Sequence, residues 1–226
     1  MSAPIVDYQA TSGAFYDDQT DARKVGRFRA WYHTTRYQRL RDLVASLFAP
    51  GMVVLDAACG NCVWNTDRLP VLGVDINYPM LHHAVGQRRL AGGAVIDMSG
   101  RRLCLASESV DVIVCSEVLE HMPNYPEVMA EFHRVLKPGG TLIATVPFDA
   151  PGTPFFMLFN AHCLFRGYAL GEEYYKRFCG HVNHFTHGSM RRPLEAAGFE
   201  VRQQFLHNAF ILYTIARRRL AGVGGA

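Results

Sequence analysis

Short apolar runs that alternate with stretches of helical periodicity leave this chain few ways to fold. Residues 52–56, 71–75, 94–97, 110–115 and 141–146 read as buried strands, and 63–69, 78–90 and 125–136 read as helices between them. A strand apolar on both sides must be covered on both sides, and strand–helix alternation supplies that cover in a parallel, doubly wound sheet. Ahead of the first run, residues 24–48 place Leu40, Leu43, Val44 and Leu47 at helical spacing, with Pro50-Gly51 as the stop. After Pro147 the pattern breaks; it resumes as a helix over 186–197 and two strands, 199–205 and 209–217. Only Leu206-His207-Asn208 separates those two, so they pair antiparallel. The expected fold is α/β: a mostly parallel seven-stranded sheet with an antiparallel last strand and helices on both faces.

At 226 residues, 49% hydrophobic and 19% charged, the chain buries a sizeable core as one domain, spanning 1–226. Its expected parts are an N-terminal helical segment (1–50), a core (51–148), an insertion (149–185) and a C-terminal helix and strand pair (186–220). A net charge of +3, with basic residues scattered apart from short runs such as Arg101-Arg102 and Arg217 to Arg219, argues against a nucleic-acid partner. The apolar runs are too short for a membrane span, residues 1–10 lack a secretory pattern, and a cytoplasmic protein is expected. The Gly-rich 221–226 reads as a frayed end. Six cysteines, mostly inside apolar runs, read as reduced buried thiols.

In such a sheet ligands bind beyond the carboxyl ends of the strands, where this chain places Asp56, Asp75, Asp97 and Ser116-Glu117. The first strand runs into a loop of small residues, Ala57-Ala58-Cys59-Gly60-Asn61-Cys62, which lets backbone N–H groups approach a ligand. Asp75 ends the second strand, where a carboxylate can accept both ribose hydroxyls. The arrangement fits a nicotinamide dinucleotide or S-adenosylmethionine. A dinucleotide site calls for three glycines to seat a pyrophosphate, and Gly60 stands alone; Asp56 would repel pyrophosphate but suits a sulfonium and an ammonium. The methyl donor is favoured over a nicotinamide-dependent oxidoreductase.

The stretches Leu55 to Gly60, Gly73-Val74-Asp75-Ile76 with Met80-Leu81, Ser109 to Ile113 with Val118-Leu119-Glu120-His121, and Glu131 to Gly140, followed by Ala196 to Val201, occur in order. In that order they resemble the Rossmann-like S-adenosylmethionine-dependent methyltransferases, in particular the small-molecule branch. The resemblance implies that Asp56, Ala58, Cys59 and Gly60 line the cofactor, Asp75 holds the ribose and Ile76 packs on the adenine. It also implies that Asp97 accepts the adenine amino group beside Met98, and that Ser116 and Glu117 face the methionine end. Ala58 and Cys62 stand where the family has glycines. The expectation is a negative φ at Ala58, and at Cys62 the opening of a helix with no need for positive φ.

The Cys59-x-x-Cys62 spacing is explained by the small-residue loop rather than by redox or metal chemistry. Cys179, His181, His184 and His187 are richer in ligand atoms, but the family has a loop here running to Thr186 at a helix start, and no metal is expected. The insertion carries a dense set of aromatic residues, from Phe155 to Phe185, read as an acceptor lid for an apolar or aromatic molecule; core packing or a homodimer contact is the other use of such a surface. Phe15-Tyr16 and Trp31-Tyr32 could close over the cofactor or pack on the sheet edge. His121 and His184, flanking the acceptor, are the candidate bases. The reading is methyl transfer to an O, N or C nucleophile; the non-enzymatic alternative is a regulator that binds S-adenosylmethionine or a metal.

Overall fold

The computed structural model describes residue 9, residues 11–100 and residues 102–220. The reading of residues 1–10 as leaderless (Gln9 apart), Arg101 of the first arginine pair, and the glycine-rich 221–226 lie outside the described residues. Two short helices, α1 (Phe15–Asp18) and α2 (Ala22–Val25), precede a long one, α3 (Arg27–Leu47). The expected single helix over 24–48 is broken at Gly26, whose φ of 82° lies in the left-handed region that glycine enters without a Cβ clash. The sheet is built from β1 (Val54–Ala57), β2 (Val71–Asp75), β3 (Gly92–Val95), β4 (Val110–Ser116), β5 (Leu136–Pro147), β6 (Phe199–His207) and β7 (Ile211–Arg218), in the order β3-β2-β1-β4-β5-β7-β6. The first five strands pair parallel; β7 slots antiparallel between β5 and β6. No helix among the described residues is long and apolar enough to cross a membrane.

Alternation along the central strands splits the core into two layers. Leu55, Ile113, Cys115 and Leu142 face α5 (Tyr125–Val135) and α8 (His187–Ala196), where Phe132 and Met190, with Phe199 of β6, complete one cluster. Val54, Val112, Val114 and Ile143 face the other way, onto Leu40 and Val44 of α3 and Leu81 and Ala84 of α4 (Tyr78–Gly86). Tyr213 of β7, 1% exposed, donates its hydroxyl to the carbonyl of Arg36 and ties α3 to the sheet.

The helix expected over 63–69 is absent: residues 58–70 run as consecutive turns. Asn65 is the physical reason. Its Nδ2 donates to the carbonyls of Leu69 and Arg89 and its Oδ1 accepts from Leu69 N–H, hydrogen bonds that compete with a helical ladder, and Pro70 closes the segment. The helix expected to reach residue 90 stops at Gly86, and β3 lies two residues earlier than expected, on the exposed edge of the sheet. The insertion folds as α6 (Pro154–Leu164), a π turn (Phe165–Ala169), α7 (Glu173–Lys176) and a single turn (Phe178–Gly180), with Cys163, Tyr175 and Cys179 as its small core. The stretch leading to α8 is the expected loop rather than a helix that would align His181, His184 and His187: residues 181–186 are extended, and Thr186 caps α8 with a reciprocal bond to Ser189.

Candidate active site

A cavity of about 60 Å³ opens at the carboxyl ends of β1 and β4, lined among others by Asp56, Ala58, Cys59, Gly60, Asn61, Ser116 and Glu117. Its floor is the turn after β1. Ala58, Gly60 and Cys62 all hold positive φ, at 57°, 52° and 47°. The negative φ expected at Ala58 is therefore wrong, and Cys62 opens no helix. The loop keeps a glycine-type path with two side chains on it, each at a cost of about 1–2 kcal/mol. Compensating contacts hold it there. Trp64, 3% exposed, donates its indole N–H to Asp56 Oδ2 at 2.7 Å, and Gly60 N–H donates to Asp75 Oδ2 at 2.6 Å. Burial pushes the Asp56 carboxyl up to about 7, against the pull of its bonds from Trp64 and Cys62.

Asp75 also accepts from Asn77 N–H at 2.8 Å, so the ribose carboxylate inferred from sequence is at the same time the clasp between two loops. Ile76 is half-buried beside it and Met98 is buried, while Asp97 is exposed and accepts from the N–H and hydroxyl of Ser99. The structure brings Asp56, Ala58, Cys59, Gly60, Ser116 and Glu117 to one cavity; Asp75, Ile76, Asp97 and Met98 lie outside its lining. Tyr16 covers the loop so closely that a Cβ on Gly60 would sit 2.5 Å from its ring. Asp17 fastens this cover, accepting from Arg89 at 2.6 Å and from Asn61 at 3.0 Å, with His83 Nε2 also at 3.0 Å.

Arg36 was not foreseen. It stands on the buried face of α3, 8% exposed, and pairs with Glu117 at 3.1 Å while its guanidinium lies 4.7 Å over the Tyr37 ring. Its Nε and the Oδ1 of Asn61 are buried polar atoms at the cavity without a hydrogen-bond partner. Arg36 sits one turn before Leu40 on an otherwise apolar helix face, and its pairing with Glu117, 81 positions away, left no signal in the sequence. Glu117 itself has φ 57° and also accepts from the Thr145 hydroxyl. Burial pushes its carboxyl upward, opposed by Arg36.

Beyond Glu117, the base of the insertion is sewn to the turn Leu119–His121. Val182 and Asn183 N–H both donate to the Glu120 carbonyl, and Asn183 Nδ2 donates to the carbonyls of Leu119 and Met122. His121 Nδ1 donates to the Gly180 carbonyl at 3.1 Å. Burial, with His181 nearby, pushes the His121 imidazole down to about 4. Asp149 Oδ2 accepts from His181 Nδ1 at 2.9 Å, and His184 Nδ1 lies 3.2 Å from the same oxygen. The two histidines expected near the acceptor thus sit on one polar cluster with His181, which the sequence had marked only for its ligand atoms, and with Asp149, which the sequence did not single out.

Strand order, the turn after β1 and the acid closing β2 define a Rossmann-like site for an adenosine-bearing methyl donor. A family model described as a methyltransferase domain matches residues 32–204, and the chain belongs to that family of S-adenosylmethionine-dependent methyltransferases. It is 29% identical over 151 residues to a demethylmenaquinone methyltransferase of Symbiobacterium thermophilum, covering 59% of this chain and 56% of that one. It is 26% identical over 186 residues to a ubiquinone biosynthesis O-methyltransferase of Xanthomonas campestris, covering 75% and 77%. The chain thus spans little more than half the length of the first relative. Among solved structures, magnesium protoporphyrin IX methyltransferase of Synechocystis, with S-adenosylhomocysteine bound, superposes with a TM-score of 0.60 at 18% identity, covering 82% of this chain and 83% of that one. This last likeness is one of fold.

Proposed function

We propose that the protein transfers the methyl group of S-adenosylmethionine to a nucleophile on a small aromatic acceptor. The observation that carries this reading is the charge pattern of the β1–β4 cavity, which matches an amino-acid zwitterion. Arg36, with its unpartnered Nε, would take the carboxylate; Asp56 and the orphaned Asn61 Oδ1 would take the ammonium. Asp75 would hold the ribose, Ile76 and Met98 the adenine, and Asp97 its amino group. When bound, the cofactor supplies an electrophilic methyl on a cationic sulfur. The protein contributes alignment and an apolar surround that keeps water out.

The acceptor would enter from the insertion, whose Phe156 and Phe159 rings pack on His184 and His181 at centroid distances of 5.7 and 5.0 Å. Both relatives are named for quinone-pathway methylations, which supports a hydroxylated or quinonoid ring as the acceptor. Where the nucleophile carries a proton, His184 is the better of the two sequence-derived bases: its Nδ1 lies 3.2 Å from the Asp149 carboxylate, and it is about a third exposed at 34%. His121 is enclosed, with Nδ1 committed to Gly180.

Calorimetry with S-adenosylhomocysteine tests the reading. The parent protein is expected to bind, and Asp75→Ala to lose more than about tenfold, the worth of a charge-assisted pair of hydrogen bonds. Tighter binding of a nicotinamide dinucleotide, or parent-like binding by Asp75→Ala, would overturn the assignment. A screen of hydroxylated aromatic compounds for methyl transfer, with His184→Ala losing turnover at unchanged S-adenosylhomocysteine affinity, tests the acceptor side.

A further inference from the structure

The sequence reading expected no metal, yet Glu120, His121 and His181 come together with one ligand atom each, all within 4.8 Å of one another. What marks this trio is how its members are held. The Gly180 carbonyl can only accept, so His121 Nδ1 carries the proton and its Nε2 presents a lone pair. The Asp149 carboxylate likewise accepts from His181 Nδ1, which fixes the same tautomer there. His121 Nε2 already lies 3.7 Å from Glu120 Oε1. Glu120 is 1% exposed, and its Oε2 is buried without a hydrogen-bond partner, an arrangement that costs free energy unless a ligand completes it.

We propose that Glu120, His121 and His181 bind one divalent first-row transition ion, zinc before the others, with Asp149 and the Gly180 carbonyl as the outer partners that orient the two imidazoles. Two imidazoles and one carboxylate suit a borderline cation rather than magnesium or calcium. Ligand bonds of about 2.0–2.2 Å would draw the three atoms to about 3.4 Å apart, a contraction that side-chain rotation can supply. The carboxylate-to-histidine hydrogen bond behind a ligating ring is the usual support of such sites. The scaffold is already fixed, because the hydrogen bonds from Val182 and Asn183 pin the histidine-bearing loop to the Leu119–His121 turn. Three protein ligands leave at least one position open to water or, on the methyltransferase reading, to an oxygen of the acceptor.

The test uses the full chain without an affinity tag, stripped by dipicolinate and titrated with zinc chloride against a chromophoric chelator. One zinc per chain at submicromolar affinity is expected, with a higher melting temperature. Glu120→Gln and His181→Ala should each weaken binding by more than about tenfold, and Asp149→Asn by about tenfold or more. The pair Cys163→Ser/Cys179→Ser, whose parent thiols lie 4.0 Å apart in the insertion, should bind as the parent does. Binding only at millimolar zinc, or tight binding that survives both Glu120→Gln and His181→Ala, overturns the site. If circular dichroism shows those variants unfolded, the cobalt-substituted parent decides: a thiolate charge-transfer band overturns the proposal, and a purely nitrogen–oxygen spectrum supports it. Titration of the stripped protein with S-adenosylhomocysteine is read separately, since failure there strikes the cofactor reading and leaves the metal site standing.

Discussion

In the proposed site Asp56 would carry two duties that pull against each other. Folding buries its carboxyl beside Trp64 and pushes it up to about 7, yet a cationic cofactor would need it ionised. Unfolded, an aspartate titrates near about 3.9, so from roughly pH 4 to 7 the native state holds the extra proton and stability falls as pH rises across that window. Ionisation in the same range should favour S-adenosylmethionine. If only the ionised form binds, affinity should rise up to about tenfold between pH 6 and pH 8, while Asp56→Asn should flatten both the binding and the stability profile. Calorimetry at three pH values, with thermal melts alongside, measures the two slopes; affinity that is flat or falls toward alkaline pH would remove Asp56 from the cofactor's cationic end. Sequence reasoning could place this acid and Asp75, because strand ends are legible from hydropathy. It could not see Arg36 or Asp149, whose roles arise from neighbours far away in the chain: Arg36 meets Glu117 across 81 positions and Asp149 meets His181 across 32.

The same contrast separates the segments read correctly from those read wrongly. β1, β4 and the second half of β5 are covered on both faces, and β2 is buried apart from Leu72, so their apolar runs had one interpretation. The segment 63–69 was misread because its apolar spacing is that of a helix while its asparagine and Asp56-bound tryptophan fasten it as turns, a choice set by polar bonds that periodicity ignores. The cover formed by Tyr16 and Asp17 raises a kinetic expectation. A cavity near 60 Å³ is several times smaller than the roughly 300 Å³ at which ligand pockets begin, so entry of a nucleoside cofactor requires this cover to swing away. Asp17→Ala removes the partners of Arg89, His83 and Asn61, and should speed both association and dissociation of S-adenosylhomocysteine several-fold with a smaller change in affinity. Stopped-flow fluorescence can follow this through Trp64, which lines the cavity. Unaltered association in the variant would show that the cover does not limit entry.

Seen whole, the molecule is one sheet with its functional groups gathered at the carboxyl edge and its last two strands entering out of chain order. The architecture was legible down to the antiparallel pair, whose short connection admitted no crossover. The connection itself lies two residues later than expected: β6 extends through His207, β7 begins at Ile211, and Phe210 N–H closes the turn on the His207 carbonyl. Asn208 and Ala209 both hold positive φ, at 52° and 61°, the pattern of a type I′ hairpin in which the second place strongly favours glycine. Ala209→Gly should therefore stabilise the protein by about 0.5–1 kcal/mol in denaturant titrations. Loss of stability in that variant would mean that the alanine makes a contact worth more than its strain.

β6 touches the sheet only through β7, and this has a consequence for how the chain finds its fold. β5 waits beside an empty edge for more than sixty residues of sequence, and the strand that first emerges after α8 is not the one that fills it. The two closing strands must therefore zip together as a hairpin before or while they dock, since β6 has no other partner in the sheet to hold it. The turn at Asn208-Ala209 then belongs to the assembly step rather than to its aftermath, and relief of its strain should appear as faster refolding with little change in the unfolding rate.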